Sequence, residues 1–553
     1  MTAGGNRLSW GERLGVLFGA GAFGILLWVV LPPGVVVMND DFGYLRSVVE
    51  TIQRGRPWTD DWLAPWSAGF SVLSALAWKV SGSFLFATQA VQCGLSALAM
   101  ILLVSLLRAR QVGWFASLTV AALLLTIPTV FGKQVEYTGV AFMLPCLLGA
   151  LAATEKGRWW SFLFWWALAL ATRQNAATWA VLPLFAAGES WWRGARGECR
   201  RPLIVWAAGV AVYFLVKTGM NRTHGQGTVS AQLWESVFTL RALELAGIGS
   251  LIFVAAAGLS AWLVCGKMRR APWWAWAVVA VLVGWLGWGL EWHDRVYFEH
   301  SRYAGTGMFY LRALLIVAAL GWLTRPIRLR VLHCVGGAAA LALVCLRHDV
   351  WDYYFIDVFV FGFGAVAATG TSVPRTAGAK TIRALAWAAA LGAVAWCHGR
   401  FALEFKVETD VRWASVALAE KSLRSGALKV QEIRALPFGY VAWELFPASL
   451  RRRPDGGTDG ENFFDYLNER SAEVELISAD GWSRRYVAGR DARPRETLRQ
   501  ERFSLAGQNA EFALVRFPAE TGAPAKRALP ENYTRPVFPL DDAEWRALIL
   551  SRR

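Results

Sequence analysis

Two aspartates, Asp40 and Asp41, stand side by side just beyond an apolar run from Leu14 to Val37. Adjacent carboxylates at a lipid boundary repel each other unless a cation or a substrate offsets them. Asn39 or Asp40 would also serve as a helix cap, and the helix dipole favours a first-turn carboxylate, so a structural role stays open. Glu136 is a second acid set against the start of an apolar run, with Lys133 placed to form a plain surface pair with it. Arg173, in LALATRQNAATWAVLPL, lies between apolar runs of 14 and 13 residues. Each run is about 20 Å long as a helix, against a hydrocarbon core of about 30 Å. A hairpin that short holds the arginine below the surface, where it needs an anionic partner unless it snorkels from a helix end. Arg302 and Tyr303 pair a cation with an interfacial aromatic at the start of another run. Arg312 and Asp357 each sit inside an apolar run, and either pair with each other or line a cavity. His293, Asp294, Glu299 and His300 crowd one loop without metal-ligand spacing, so no metal ligand is assigned there.

The elements that position these residues are membrane spans. The chain has 553 residues, 55% of them hydrophobic, with 31 Trp and 31 Phe, more apolar matter than one soluble core needs. Thirteen apolar runs are candidate spans: 14–37, 83–107, 112–131, 137–153, 159–172, 176–188, 203–219, 246–266, 272–290, 304–323, 331–346, 353–370 and 384–398. The first is too long for a signal-peptide core and reads as a retained span. Loops on the N-terminal side of the membrane carry 19 Lys/Arg against 4 Asp/Glu, and the opposite loops through Arg400 carry 14 against 14. The N-terminus is therefore expected in the cytoplasm and the balanced side outside, in a plasma (inner) membrane.

An odd number of spans sends the tail outside as well. Residues 401–553 hold 24 Lys/Arg and 23 Asp/Glu and no spanning run, and two stretches in them alternate apolar with polar residues. The fold class is thus an α-helical polytopic membrane protein of about 13 spans, residues 1–400, followed by a mixed α/β soluble domain, residues 401–553. The net charge of +16 belongs to the inner loops, which argues for membrane orientation and excludes nucleic acid as a partner. All seven Cys precede the tail, so no disulfide framework is implied.

Phe42, Leu45, Val48, Val49 and Ile52 recur at helical spacing, so an amphipathic helix on the outer membrane face is expected after the aspartates. Asp40-Asp41-Phe42-Gly43-Tyr44, then Gly55-Arg56-Pro57, Trp62 to Pro65 and an apolar stretch ending at Gly82, resembles the first external loop of the integral-membrane C superfamily of glycosyltransferases (GT-C). That superfamily includes protein O-mannosyltransferases, lipid A aminoarabinose transferases and mycobacterial arabinosyltransferases. The likeness is architectural over roughly residues 10 to 330, and rests on the loop 38–82, the span count and the outer tail.

The resemblance implies transfer of a sugar from a polyprenyl phosphate to an acceptor hydroxyl on a glycan, lipid or protein. It places the base on Asp40, with Asp41 orienting it or helping to hold a divalent cation. It places the donor phosphate on Arg173 and Arg302, with Tyr303 at the interface, and Glu136, Tyr44, Arg312 and Asp357 as support. No cofactor is otherwise expected, membrane lipid being the surrounding partner. A transporter or flippase of lipid-linked sugars is the rival reading, and it calls for mid-depth charges and broken repeats that the chain does not clearly carry.

Overall fold

The computed structural model describes residues 10–30, 68–110, 112–135, 137–221, 240–265, 315–346, 352–367, 474–478, 496–505 and 508–516, with isolated positions between them. Among those positions are Tyr44, Ser47, Val48, Thr51 and Ile52; Asp40, Asp41, Glu136, Arg302, Tyr303 and Arg312 lie outside the described residues, as does the loop around His293. The helices are α1 (Trp10–Val30), α2 (Ala68–Ser81), α3 (Phe84–Ala109), α4 (Trp114–Leu125), α5 (Pro128–Val135), α6 (Gly139–Glu155) and α7 (Trp159–Leu170). A 3-10 helix (Gln174–Ala180) leads into α8 (Val181–Trp192), α9 (Arg196–Asn221) and α10 (Leu240–Val264). Then come α11 (Leu315–Thr324), α12 (Val331–Cys345) and α13 (Ile356–Ala365).

Four of the described helices are long and apolar enough to cross a membrane: Trp10–Val29, Phe86–Ala109, Arg196–Gly219 and Arg241–Trp262. The chain is a mostly helical membrane protein on that pattern. Two expected spans are subdivided, each for a local reason. The run 112–131 breaks after Leu125, because Pro128 has no N–H to continue the ladder and instead opens the separate helix α5. The run 176–188 begins as a 3-10 turn and becomes α-helical only at Val181.

The core forms around α6, which is buried from Gly139 to Leu151 and again at Ala153. It packs on α3 and α7, and more lightly on α13. Glycines let bulky rings approach: a Cβ on Gly149 would fall 2.4 Å from the Trp165 ring, and one on Gly209 of α9 would fall 1.8 Å from the Trp166 ring. Fully buried Trp166 thereby wedges α7 against α9.

One end of this bundle is tied by charge. Arg110 donates to Glu155 Oε1 from Nε at 3.0 Å and from Nη2 at 2.5 Å. It also donates to the carbonyls of Phe363 at 3.2 Å and Gly364 at 2.6 Å. Arg330 reaches the same Glu155 oxygen at 3.0 Å, and His333 Nδ1 lies 2.8 Å from the Gly364 carbonyl. Four helix ends, those of α3, α6, α12 and α13, meet there. Arg108 pairs with Glu12 of α1 at 3.2 Å. All these charges fall in the loop set that the sequence assigns to the N-terminal side. Segregation by charge and segregation in space agree.

In the tail, β1 (Val474–Ser478), β2 (Glu496–Leu505) and β3 (Gln508–Arg516) form an antiparallel sheet of order β1-β3-β2. Ala510, Phe512, Leu514 and Val515 of the central strand are buried. Glu501 accepts from Arg499 at 2.6 Å and from Lys421, and Arg516 donates to the Ala427 carbonyl at 2.9 Å, so residues near 421–427 are bound to the sheet.

Candidate active site

The loop that carries Arg173 is held by five hydrogen bonds. Its own backbone N–H donates to Ala169 O at 2.8 Å and Thr172 Oγ1 donates to Leu168 O at 2.9 Å, which closes the end of α7. Trp166 Nε1 donates to Ala176 O at 2.8 Å, and Thr178 Oγ1 to Asn175 O at 2.8 Å, which fixes the 3-10 helix. From the first loop, Gly69 N donates to Ala171 O at 2.7 Å. A Cβ on Gly69 would stand 2.9 Å from that oxygen and 3.2 Å from Thr172 Oγ1, so α2 docks where only glycine fits without a shift. Arg173 itself is half-buried and extended at the cap of the 3-10 helix.

Tyr44 belongs to the same neighbourhood. It is 8% exposed, and with Ser47, Val48 and Thr51 it forms a buried stripe at i, i+3, i+4, i+7. The stripe facing protein therefore includes three hydroxyls, those of Tyr44, Ser47 and Thr51, whereas the helical spacing of apolar residues marks only Val48 among the four. Tyr44 packs edge-on against Phe70 of α2, centroids 6.1 Å apart, and Phe70 lies 4.5 Å from the Tyr137 ring. A Cβ on Gly139 would touch Tyr44 Oη at 3.4 Å and Thr172 Cγ2 at 3.5 Å. Three segments far apart in sequence thus meet at the start of α6: the stretch after the two aspartates, the residues after Glu136, and the Arg173 loop. The turn Gly55-Arg56-Pro57 is closed by Trp58 N, which donates to Thr51 Oγ1 at 3.2 Å, with Arg54 stacked 5.0 Å over the Trp58 ring.

Two residues gain importance that the sequence did not suggest. A plain surface pair with Glu136 is one of the two readings that the sequence allows for Lys133; it is 2% exposed, so its side chain is not at the surface. Burial of an ammonium calls for a compensating polar environment. Gln134 is 1% exposed, and its Nε2 donates to Leu125 O at 2.8 Å and Val130 O at 3.1 Å. Both its N–H groups are thereby used, and Oε1 is left as a buried acceptor with no donor among the described residues. Its own carbonyl accepts from Gln92 Nε2 at 2.6 Å, which ties α5 to α3. Neither residue has a motif that would reveal it, because burial in a short helix between two spans depends on tertiary packing.

Asp357 is buried in the first turn of α13, where the helix dipole favours a carboxylate. The 3-10 turn Asp352–Phe355 just before it packs on α5, while the far end of α13 meets Arg110. Asp357 is therefore on the Lys133 end of the bundle and separated by α13 from the charged knot. Among the described residues, no three His, Cys, Asp or Glu gather as a metal site.

No family model matches the chain, and no curated protein matches it. Among solved structures, the chain is similar to the crystal structure of ArnT from Cupriavidus metallidurans bound to undecaprenyl phosphate. The two share 12% identity, with a TM-score of 0.41 over 91% of this chain and 98% of that one. A likeness at that score assigns neither family nor activity.

Proposed function

We propose that the chain is a GT-C-type membrane glycosyltransferase that moves a sugar from a polyprenyl-phosphate donor to an acceptor hydroxyl on the outer side of the inner membrane. The observation that carries this reading is the meeting of Tyr44, Gly139 and Thr172, which brings the opening loop against the Arg173 loop. Asp40 and Asp41 precede Tyr44 by four and three residues, a tether of at most about 14 Å. That reach supports a reading in which an acid pair and a guanidinium that suits a phosphate serve one site.

In this reading Asp40 takes the proton of the acceptor hydroxyl as its oxygen attacks the anomeric carbon. The bond from that carbon to the phosphate oxygen breaks, and the phosphate leaves with the electron pair and without needing an acid. Arg173 and Arg302 balance the charge that grows on it, with Tyr303 at the interface. Asp41 orients Asp40; Glu136, Arg312 and Asp357 shape the donor cavity. Attack opposite the leaving phosphate inverts the anomeric centre. Residues 401–553 form an outer domain that covers the mouth of the site or docks the acceptor.

The deciding experiment is mass spectrometry of polyprenyl phosphates and surface glycans in a strain lacking the chain. One polyprenyl-phosphate sugar should accumulate while one glycan, lipid or protein loses a sugar, and the parent gene should reverse both. Unchanged profiles in both fractions would overturn the reading.

A further inference from the structure

At the other end of the bundle, the turns α6–α7 and α8–α9 carry a surface that the proposed reaction does not use. Gly157 (φ 62°) and Gly194 (φ 78°) adopt left-handed conformations that make the two turns tight. Lys156, Arg158, Arg193, Arg196, Arg200 and Arg201 are all exposed on them, against only Glu189 and Glu198. Trp191 and Trp192 are 61% and 90% exposed, and the Arg196 guanidinium lies 5.0 Å over the Trp191 ring. Arg193 is partly offset by Glu189 at 2.5 Å.

The change from charge to hydrocarbon is abrupt. At this end of α9 the run of basic residues stops at Arg201, and Leu203 and Ile204, 45% and 42% exposed, follow within about 5 Å along the axis. The window of α9 that would cross the bilayer is only 17% buried, so it faces outward over most of its length. α7 and α8 both pack on α9, which places their turns beside its basic end. A solvated loop would need no such tryptophans, and a soluble anion would gain nothing from the apolar flank below.

We propose that this basic, Trp-rimmed end of α9 is a binding site for an anionic phospholipid of the adjacent leaflet. The headgroup phosphate would lie among Arg196, Arg200 and Arg201, and its acyl chains along Leu203 and Ile204, with the tryptophans at headgroup depth. The proposal rests on α9 spanning the membrane and is independent of the transfer chemistry above.

The test is native mass spectrometry of the full chain in mild detergent with equimolar phosphatidylglycerol and phosphatidylcholine. The parent should retain phosphatidylglycerol preferentially, and high salt should erode the preference. Arg196→Gln, Arg200→Gln and Arg201→Gln should each lower it about fivefold, while Lys at the same positions should largely keep it. The side chains are exposed, so these variants should melt with the parent. Equal retention of the two lipids by the parent would overturn the proposal. So would a triple Gln variant that keeps the preference, or competition by soluble glycerol phosphate as effective as that by the lipid.

Discussion

Replacing Glu155 with Gln tests how the bundle is held. The substitution keeps the size and one acceptor oxygen but removes the carboxylate shared by Arg110 and Arg330. The Arg110 side chain is fully buried and that of Glu155 is 4% exposed, so water cannot replace the lost charge. Breaking a buried pair costs about 3–5 kcal/mol. Arg110 would retain the Phe363 and Gly364 carbonyls, which points to the lower figure, about 3 kcal/mol. At roughly 2–4 °C per kcal/mol the melting temperature should fall by about 6–12 °C. Thermal melting followed with a thiol-reactive dye suits this chain, because Cys93, Cys146, Cys199 and Cys265 are buried and free until it unfolds. Arg330→Gln should cost about 1 kcal/mol or less, since that side chain is 33% exposed. Arg110→Met with Glu155→Leu should be milder than Glu155→Gln alone, because no unpaired charge remains buried. A Glu155→Gln protein that melts within a degree of the parent would refute the reasoning, as would a double variant worse than the single one.

Asp40→Asn keeps the capping ability but loses the proton acceptor, so a folded protein that has lost transfer by roughly a hundredfold or more in a turnover assay is expected; near-normal turnover would move the base elsewhere, with Glu136 next to test. Arg173→Ala should strongly weaken retention of a polyprenyl phosphate in a direct binding assay, with Lys rescuing only in part because it lacks the fork that matches phosphate. Gly209→Ala would drive a methyl into the Trp166 ring, which anchors Ala176 O, so a loss of about 1–3 kcal/mol by thermal melting is expected. In the tail, burial raises the Glu501 pKa, but hydrogen bonds and charge from Lys421 and Arg499 outweigh it and hold the carboxyl below its usual 4.5. A depressed folded pKa gives stability that is present above about 4.5 and lost as pH falls through the folded value. Amide exchange in β2 and β3, corrected for intrinsic rate, should rise there in the parent, and Glu501→Gln should flatten the change.

The grouping of these helix ends is legible in the sequence, because the alternation of loops along the chain puts Arg108 with Glu12, and Arg110 with Glu155 and Arg330, in one set, and the structure brings them into contact. Apolar runs also located most helices, though not the interruption at Pro128 or the 3-10 start after Arg173, where local backbone chemistry overrides hydropathy. Of the tail strands, β1 and β3 lie in stretches marked by alternation, while β2, rich in charged residues on an edge, passed unmarked. What the sequence could not convey was partnership across the bundle. That Tyr44 and Thr172 both pack on the start of α6 depends on glycine-sized approaches at Gly139 and Gly69, and a glycine does not announce its neighbour. Lys133 shows the reverse, since residue type in a short loop allows a surface pair with Glu136 as one of two equal readings, and only packing reveals that the side chain is buried.

The helix α6 has Gly139, flanked by Tyr44 and Thr172, at its first residue and the Arg110–Glu155 knot at its last, about 25 Å away. Enclosed on its sides, it behaves as a push-rod: an axial shift at one end must appear at the other unless the helix bends. The one prepared joint is Pro145, which cannot donate to Ala141 O and so leaves a gap in the ladder one turn and a half from Gly139. Any motion at Tyr44 is therefore either carried through to the knot or absorbed at Pro145. Filling that joint with Ala would turn a hinged linkage into a stiff one and couple the two ends of the bundle mechanically.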